Sequence, residues 1–449
     1  MIKRLYDDNL YRYSEPQPSY WEATAQDVQV QAPPLEGDQS CDVAIIGGGY
    51  TGLSAALHLA RDYSTDVRVL EAGHIGWGAS GRNGGFCSMG GVGVERKKLV
   101  RMVGLDNVRE YFRSQVEGVE LVREISSSEG IDYEENGSAE LEVAHLPRAF
   151  ELLQEDHDLL TRELGISATL FNANEFREQF FDSSEQYGAL QIRPTFGLHP
   201  LRYCRGLANA ATRRGAILHE RSEALSWNKA DDGMHHISTA GGTLRARRVL
   251  YATNGFMPEG LRPEFYARTL PVISAIIVTR PLSAEEKAAY GWVTDHPSIN
   301  SRRILNYFRM LPDGRFMFGG RGHTTGHPAG EAETYRRLEA MLKKIWPKWS
   351  DVEIDYRWHG LICVTGTMAP SVGRLKDDNS IFFGYGYHGN GVNTATWTGK
   401  QLADWIGSGK EPRLPGIIRG LTGRFPLAPL RLKYLRAGIA FSAWLDRRS

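Results

Sequence analysis

The stretch from Asp42 to Glu71 limits the folds open to this chain more than any other. It begins Asp42-Val43-Ala44-Ile45-Ile46 and continues Gly47-Gly48-Gly49-Tyr50-Thr51-Gly52. Leu53-Ser54-Ala55-Ala56-Leu57-His58-Leu59-Ala60 follows, and Val67-Arg68-Val69-Leu70-Glu71 closes it. The first run is short, apolar and β-branched, as in a buried parallel strand, and the run after the glycines has its apolar residues at helical spacing. Strand, glycine turn, helix and strand make a βαβ unit, so an α/β fold is expected.

The spacing inside the turn carries chemistry. Gly47 permits a tight turn, Gly49 lets a pyrophosphate approach the backbone, and Gly52 lets the helix lie close on the strand. The positive end of the helix then faces the phosphates. Glu71 stands nineteen positions after Gly52, where an acidic side chain accepts hydrogen bonds from an adenosine ribose. A lone glycine turn of this kind is a weak signal. With strand, helix, second strand and terminal acid all in place, the unit is read as a dinucleotide site.

At 449 residues the chain is long enough for two or three domains. Basic and acidic residues number 53 each, so no polyanionic partner is implied and nucleic acid is not expected. Cys41, Cys87, Cys204 and Cys363 are scattered without a CxxC pair, which fits a reducing compartment and gives no zinc or other metal site. Residues 1–40 lack a signal-peptide core, and no run reaches the roughly 20 apolar residues of a membrane span. The expectation is a cytoplasmic protein. Pro16, Pro18, Pro33 and Pro34 keep long regular structure out of residues 1–40, which are read as an arm lying on the body.

After Glu71, the segment from His74 to Ser88 holds five glycines in fifteen residues. That density keeps the backbone open to something flat or anionic, and Ser80, Arg82 and Asn83 add donors. Together with the first glycine turn and the polar-aromatic arm, Gly78-Ala79-Ser80-Gly81-Arg82-Asn83-Gly84-Gly85 resembles the flavin-dependent amine and amino-acid oxidase superfamily typified by D-amino-acid oxidase. Within it the chain is most similar to γ-glutamylputrescine oxidases, then to L-pipecolate oxidase. The resemblance implies a Rossmann-like FAD-binding domain interleaved with a mixed-sheet α+β substrate domain. It places Gly47, Gly49, Tyr50, Thr51, Gly52, Glu71 and Ala72 around the ADP half of FAD. Ser80, Gly81, Arg82, Asn83, Gly84, Gly85 and Phe86 would run beneath the isoalloxazine. Ala224, Thr253, Asn254 and Gly360 join the cofactor set.

On this reading residues 41–87, 195–258 and 357–425 form the FAD domain, residues 88–194 and 259–356 the substrate domain, and residues 426–449 a basic amphipathic tail. Residues 97–164 are mainly helical by period, with an extended run at Ala139 to Ala144. Glu134, Glu135, Glu140 and Glu142 are read as mostly a solvated face. Gly197-Leu198-His199-Pro200 opens a helix expected over Leu201 to Arg213, with Cys87 and His199 as candidate substrate contacts. Strands are expected at Ala216 to His219, around Ala224 to Trp227, His235 to Ser238 and Thr243 to Ala246, and at Arg248 to Gly255, the last ending in small polar residues. Ile304 to Met310 and Arg315 to Phe318 flank Pro312-Asp313-Gly314, the chemistry of a hairpin turn. Period two puts Leu305, Tyr307 and Arg309 on one face and Asn306, Phe308 and Met310 on the other. In related flavoenzymes such a strand roofs the substrate pocket, which makes Tyr307 and Arg309 candidates for substrate contact. Arg302, Arg303 and Arg321 compete for that part.

Tyr356 to Val364 reads as a strand returning to the FAD domain. Thr367 stands where the resembling pattern usually has Asp. Ile381 to Gly384 runs into Tyr385-Gly386-Tyr387-His388-Gly389-Asn390-Gly391-Val392-Asn393-Thr394 and a helix, whose terminal N–H groups point at the loop. In the resembling family Gly386, Gly389, Asn390, Gly391, Val392 and Thr394 would stabilise negative charge on a reduced flavin. His388 is the candidate catalytic group, although a histidine in a glycine loop also serves structural roles. The tail after Pro426 is expected to pack on the body, with contact to an anionic membrane surface as the alternative.

The expected reaction is oxidation of a C–N bond of an amine or amino acid to an imine that hydrolyses to an aldehyde or keto acid. Noncovalent FAD is the expected cofactor and oxygen or a quinone the acceptor. A hydroxy-acid oxidase or dehydrogenase on the same fold and a non-catalytic flavin-binding module are the competing readings.

Overall fold

The structure, a computed structural model, describes residues 4–446; residues 447–449 and the side chains beyond Ser442, which include the end of the expected amphipathic tail, lie outside the described residues. Two eight-stranded sheets organise the chain.

The first sheet is built around Gln39–Ile46, which lies parallel to Thr243–Tyr251 on one side and to Val67–Leu70 on the other. Ile217–His219 and Ile381–Tyr385 extend it in parallel, and Ser371–Arg374 closes one edge antiparallel. The strands at its centre are buried toward their C-terminal ends, Ile381–Tyr385 throughout, as coverage of both faces there requires. Thr243 to Ala246 and Arg248 onward, read from sequence as two strands, are one continuous strand, Thr243–Tyr251. Its first half pairs antiparallel with His235–Ser238 and it runs parallel to Gln39–Ile46 throughout.

Tyr50–Tyr63 packs on this sheet between Pro200–Arg213 and Gly391–Ser408. The contact with Gly391–Ser408 is close because Gly399 has no side chain; a Cβ there would stand 2.4 Å from the Thr51 carbonyl oxygen. Ser54 Oγ donates to the Thr396 carbonyl at 2.7 Å in the same crossing.

The second sheet runs in the order Ile354–Thr365, Thr269–Pro281, Arg315–Arg321, Tyr307–Met310, Ser298–Asn300, Glu140–Val143, Ala189–Ile192, Ala168–Phe171. All neighbours are antiparallel except Ser298–Asn300 with Glu140–Val143. Ile354–Thr365, expected in the FAD domain, therefore belongs to the second sheet, along the full length of Thr269–Pro281. Its apolar run suits either sheet, and the long pairing partner decides. The hairpin is where the turn residues put it, with Arg309 opposite Met317 and Met310 opposite Phe316.

One face of this sheet holds an aromatic core that includes Phe308, Phe316, Phe318, Trp292, Trp346 and Trp349, packed with Leu338 and Leu342 of Pro328–Ile345. Phe181 stacks on Trp292 at 4.0 Å between centroids. Large side chains of this kind contribute about 1.5–3 kcal/mol each on full burial, so this face anchors the sheet and leaves the opposite face free to roof a cavity.

The N-terminal arm lies on the body. Tyr6 donates to the Pro271 carbonyl at 2.7 Å, and Trp21 is buried, its Nε1 donating to the Asn83 carbonyl at 2.9 Å. At the other end Arg431 is buried, donating to the Thr269 carbonyl at 2.8 Å and pairing with Glu259 at 2.6 Å, while Leu432 packs against the cluster that includes Tyr6, Leu10 and Ile273. Among the described residues no helix is long and apolar enough to cross a membrane.

Candidate active site

The glycine turn closes through two contacts that no side chain tolerates. A Cβ on Gly52 would stand 2.0 Å from the Gly47 carbonyl oxygen, and one on Gly47, whose φ is +112°, would stand 2.7 Å from that of Ala252. Gly49 differs: the nearest atom to its Cβ would be Ser80 Oγ at 2.9 Å, and the residue lines a cavity. Glu71 braces the same turn, with Oε2 accepting from the Gly48 N–H at 2.7 Å and Oε1 from that of Gly73 at 3.0 Å. Burial raises its carboxyl above the ordinary range, and those backbone donors oppose the rise.

The cavity, of about 570 Å³, lies between the two sheets. Such a volume is in the range of cofactor and ligand sites. Of the expected residues, Gly47, Gly49, Tyr50, Thr51, Glu71, Ala72, Ser80, Arg82, Asn83, Gly84 and Phe86 line it, with Ala224, Thr253, Asn254 and Gly360. Tyr307, His388, Gly389, Asn390, Gly391 and Val392 complete that group. Three distant stretches of sequence thus meet on one space.

The loop after Glu71 is held rigid. Asn83 Nδ2 donates to the carbonyls of Ala79 and Ser80, each at 3.1 Å, and its Oδ1 accepts from the Gly85 N–H at 2.8 Å. Trp358 Nε1 donates to the Arg82 carbonyl at 2.8 Å from the second sheet. The Arg82 guanidinium stacks 3.9 Å over the Trp77 ring, and Nε donates to the Trp77 carbonyl at 2.5 Å. It has no carboxylate partner, and Nη2 has no partner at all among the described residues. Burial lowers its pKa to about 9, which still leaves a cation at neutral pH.

His388 lines the cavity with φ at +51°. Its Nε2 accepts from the Thr365 N–H at 3.3 Å, which ties the Tyr387–His388 turn to the second sheet. Burial, partly opposed by the Ala369 carbonyl, lowers its pKa to about 4. The imidazole is neutral, and the lone pair on Nε2 is engaged.

Eight expected residues do not line the cavity. Gly52, Gly81, Gly85 and Gly386 are glycine for packing: a Cβ would stand 2.1 Å from the Gly76 carbonyl oxygen at Gly81, 2.1 Å from that of Leu198 at Gly85, and 2.2 Å from Thr365 Cγ2 at Gly386. Thr394 turns inward and donates to Gln115 Oε1 at 3.0 Å. Cys87 is buried in a two-stranded ribbon opposite Phe196. His199 caps Pro200–Arg213, its Nδ1 accepting from the Arg202 N–H at 3.3 Å. Arg309, read as a substrate contact, lies behind the glycine loop, its Nη2 donating to the Leu198 carbonyl at 2.6 Å. The lack of side chains at Gly85 and Gly197 makes room for its guanidinium.

Other lining residues carry no clear signal in the sequence. Tyr13 reaches the cavity from the arm, Trp77 from the glycine loop, and Ser274, Ile276 and Ile362 from the long strands of the second sheet. Arg96, Glu140 and Glu142 line it too. The two glutamates, read as part of a solvated face, are buried. The alternation Glu140-Leu141-Glu142-Val143 is the signal that could have found them: Leu141 and Val143 enter the aromatic core, so the acids face the opposite side, which is the cavity.

These features fit FAD. Gly49 leaves the helix N-terminus open, Glu71 lines the cavity at the end of its strand, and among the described residues the buried polar atoms Arg82 Nη2, Thr253 Oγ1 and Asn390 Oδ1, on residues that line the cavity, have no hydrogen-bond partner.

The family described as FAD dependent oxidoreductase matches residues 42–405. Gamma-glutamylputrescine oxidoreductase of Escherichia coli K12 is 32% identical over 414 residues, covering 91% of this chain and 93% of that protein. Among solved structures, glycine oxidase from Geobacillus kaustophilus is similar with a TM-score of 0.68 at 21% identity, over 84% of this chain and 96% of that one. L-proline dehydrogenase from P. horikoshii gives 0.68 at 19%, over 90% and 99%. The chain belongs to the FAD dependent oxidoreductase family and is an FAD-dependent enzyme with the fold of the amino-acid oxidases.

Proposed function

We propose that this enzyme oxidises the C–N bond of an amine, in preference to a 2-hydroxy acid, releasing an imine that water hydrolyses to an aldehyde and ammonia. The observation that carries this reading is the charge of the cavity's roof. Glu140 and Glu142 line it, and Arg96 beside them is already engaged by Glu142 and Asp156. Arg309, expected as a substrate contact, lies elsewhere. An acidic roof suits a substrate bearing positive charge and repels a hydroxy acid. The similarity to gamma-glutamylputrescine oxidoreductase supports the same substrate class.

Bound FAD supplies the redox chemistry by taking two electrons and a proton from the carbon beside the nitrogen. The protein's part is to bind, orient and desolvate. Phe86, Tyr307, Ile276 and Ile362 form an apolar wall, which disfavours the ammonium form of the reacting nitrogen and excludes water. Arg82, cationic and buried, would hold negative charge that develops on the cofactor. His388 is assigned a positioning role, since its Nε2 accepts from Thr365. Glu71 and the Gly47 turn would hold the ADP half.

The test is product analysis with purified holoenzyme supplied with primary amines, amino acids and 2-hydroxy acids. Aldehyde and ammonia in equal amounts from the amines are expected. Peroxide in the same ratio would identify oxygen as the acceptor, and its absence with dye reduction would indicate a quinone. Turnover of hydroxy acids alone would overturn the assignment.

A further inference from the structure

Among the described residues, one carboxylate in the roof of the cavity has no ion-pair partner. Glu140 is 4% exposed and lines the cavity. Its Oε2 accepts the Ser88 hydroxyl, and among the described residues its Oε1 has no hydrogen-bond partner. Glu142, two residues on, is in a different state. It binds the Arg96 guanidinium through both oxygens, and Arg96 also donates to Asp156 at 2.6 Å. Two carboxylates therefore share one guanidinium, and the neighbouring carboxylate that lines the cavity without an ion pair among the described residues is Glu140. A buried carboxylate without a cation is costly, and burial pushes Glu140 up to about 7.

The sheet registers set the distance to the apolar wall. Glu142 pairs with Ile299 across one strand boundary, and Ile299 with Tyr307 across the next. Two strand spacings put Tyr307 about 10 Å from the Glu140–Val143 strand. Tyr307 packs edge-on against Phe86 at 5.8 Å between centroids, and its hydroxyl lies 2.9 Å from Ser274 Oγ. One end of the cavity is thus aromatic and weakly polar, the other anionic.

We propose that Glu140 is the receptor for a second, positively charged nitrogen of the amine substrate, several carbons away from the nitrogen that is oxidised. The inference rests on the amine-oxidising assignment above. It narrows the substrate class to compounds with two nitrogens on a flexible chain, one neutral at the aromatic end and one held as ammonium by Glu140. Ser88 positions the carboxylate, and Glu142 and Asp156 take up Arg96, which leaves Glu140 without an ion pair among the described residues.

The experiment compares FAD-loaded wild type with Glu140→Gln and Glu142→Gln. Steady-state kinetics are measured on 1,4-diaminobutane, its γ-glutamyl derivative and butylamine, which has no second nitrogen. For substrates with a second ammonium, Glu140→Gln is expected to raise KM about tenfold or more with kcat little changed, and to leave KM for butylamine within about twofold. Equal losses on all three substrates, or none on any, would overturn the proposal. A binding arm makes the outcome independent of turnover: the flavin spectrum is titrated with (4-aminobutyl)trimethylammonium. Glu140-dependent binding by an enzyme that oxidises no amine would refute the assigned reaction and uphold the cation site. Amine oxidation with binding unchanged in Glu140→Gln would do the reverse.

Discussion

Tyr307 stands over Gly319, its cross-strand partner, so closely that a methyl group at position 319 would lie 2.1 Å from Tyr307 Cε2. The missing side chain is what allows the tyrosine ring to reach the cavity and set its hydroxyl against Ser274. Gly319→Ala should therefore cost about 1–3 kcal/mol of stability by overpacking and lower kcat/KM by displacing the ring. Removing the ring removes the clash, so Tyr307→Ala with Gly319→Ala should recover most of the stability lost by Gly319→Ala alone. Denaturant unfolding of the wild type, both single variants and the pair measures the coupling. Additive losses would show that the two positions do not interact.

Glu140 gives stability a pH dependence of unusual sign. Its folded pKa is raised from 4.5 to about 7 by burial. Between those values the native protein holds a proton that the unfolded chain has released, so stability falls as pH rises through this window and is lost in full above it. The whole effect is at most about 3 kcal/mol. Glu140→Gln should abolish it, making the variant more stable than wild type at pH 8 and indistinguishable near pH 4.5. Thermal unfolding of substrate-free enzyme at several pH values checks this, and parallel curves would refute it.

Arg82 is a buried cation whose Nη2 has no hydrogen-bond partner among the described residues. Replacing it with Met should leave FAD bound but make the flavin harder to reduce, lowering its two-electron potential by on the order of 50 mV. Dye-linked potentiometry reads the shift. Arg82→Lys should lose less, since the charge stays while the stacking on Trp77 is lost.

FAD should come free in acid. Cys363 lines the cavity, but burial pushes its thiol up to about 12, so the thiolate needed for attachment is scarce. Cys87 is buried away from the cavity. After trichloroacetic acid precipitation the yellow colour should remain in the supernatant; colour in the pellet would show a covalent bond.

The parts of the site that are local in the chain are legible in the amino-acid sequence. Gly47, Gly49, Gly52 and Glu71 are linked by one βαβ unit, and short-range geometry fixes them. The hairpin is legible too, because Pro312-Asp313-Gly314 sets its register. The rest depends on long-range pairing. Ile354–Thr365 joins the second sheet because Thr269–Pro281 offers a partner for its whole length. Whether Arg309 faces the cavity depends on two glycines, Gly85 and Gly197, that leave room for it behind the loop. Glu140 and Glu142 resemble surface residues because their strand is short and charged. Only the cavity above them explains buried acids on the polar face of an alternating strand.

The most direct test of the account is anaerobic mixing of the purified yellow enzyme with single substrates while the flavin absorbance is followed. The account predicts rapid bleaching by diamines and their acylated derivatives, slower or weaker bleaching by monoamines, and none by 2-hydroxy acids. Bleaching by a hydroxy acid with no response to any amine would contradict it.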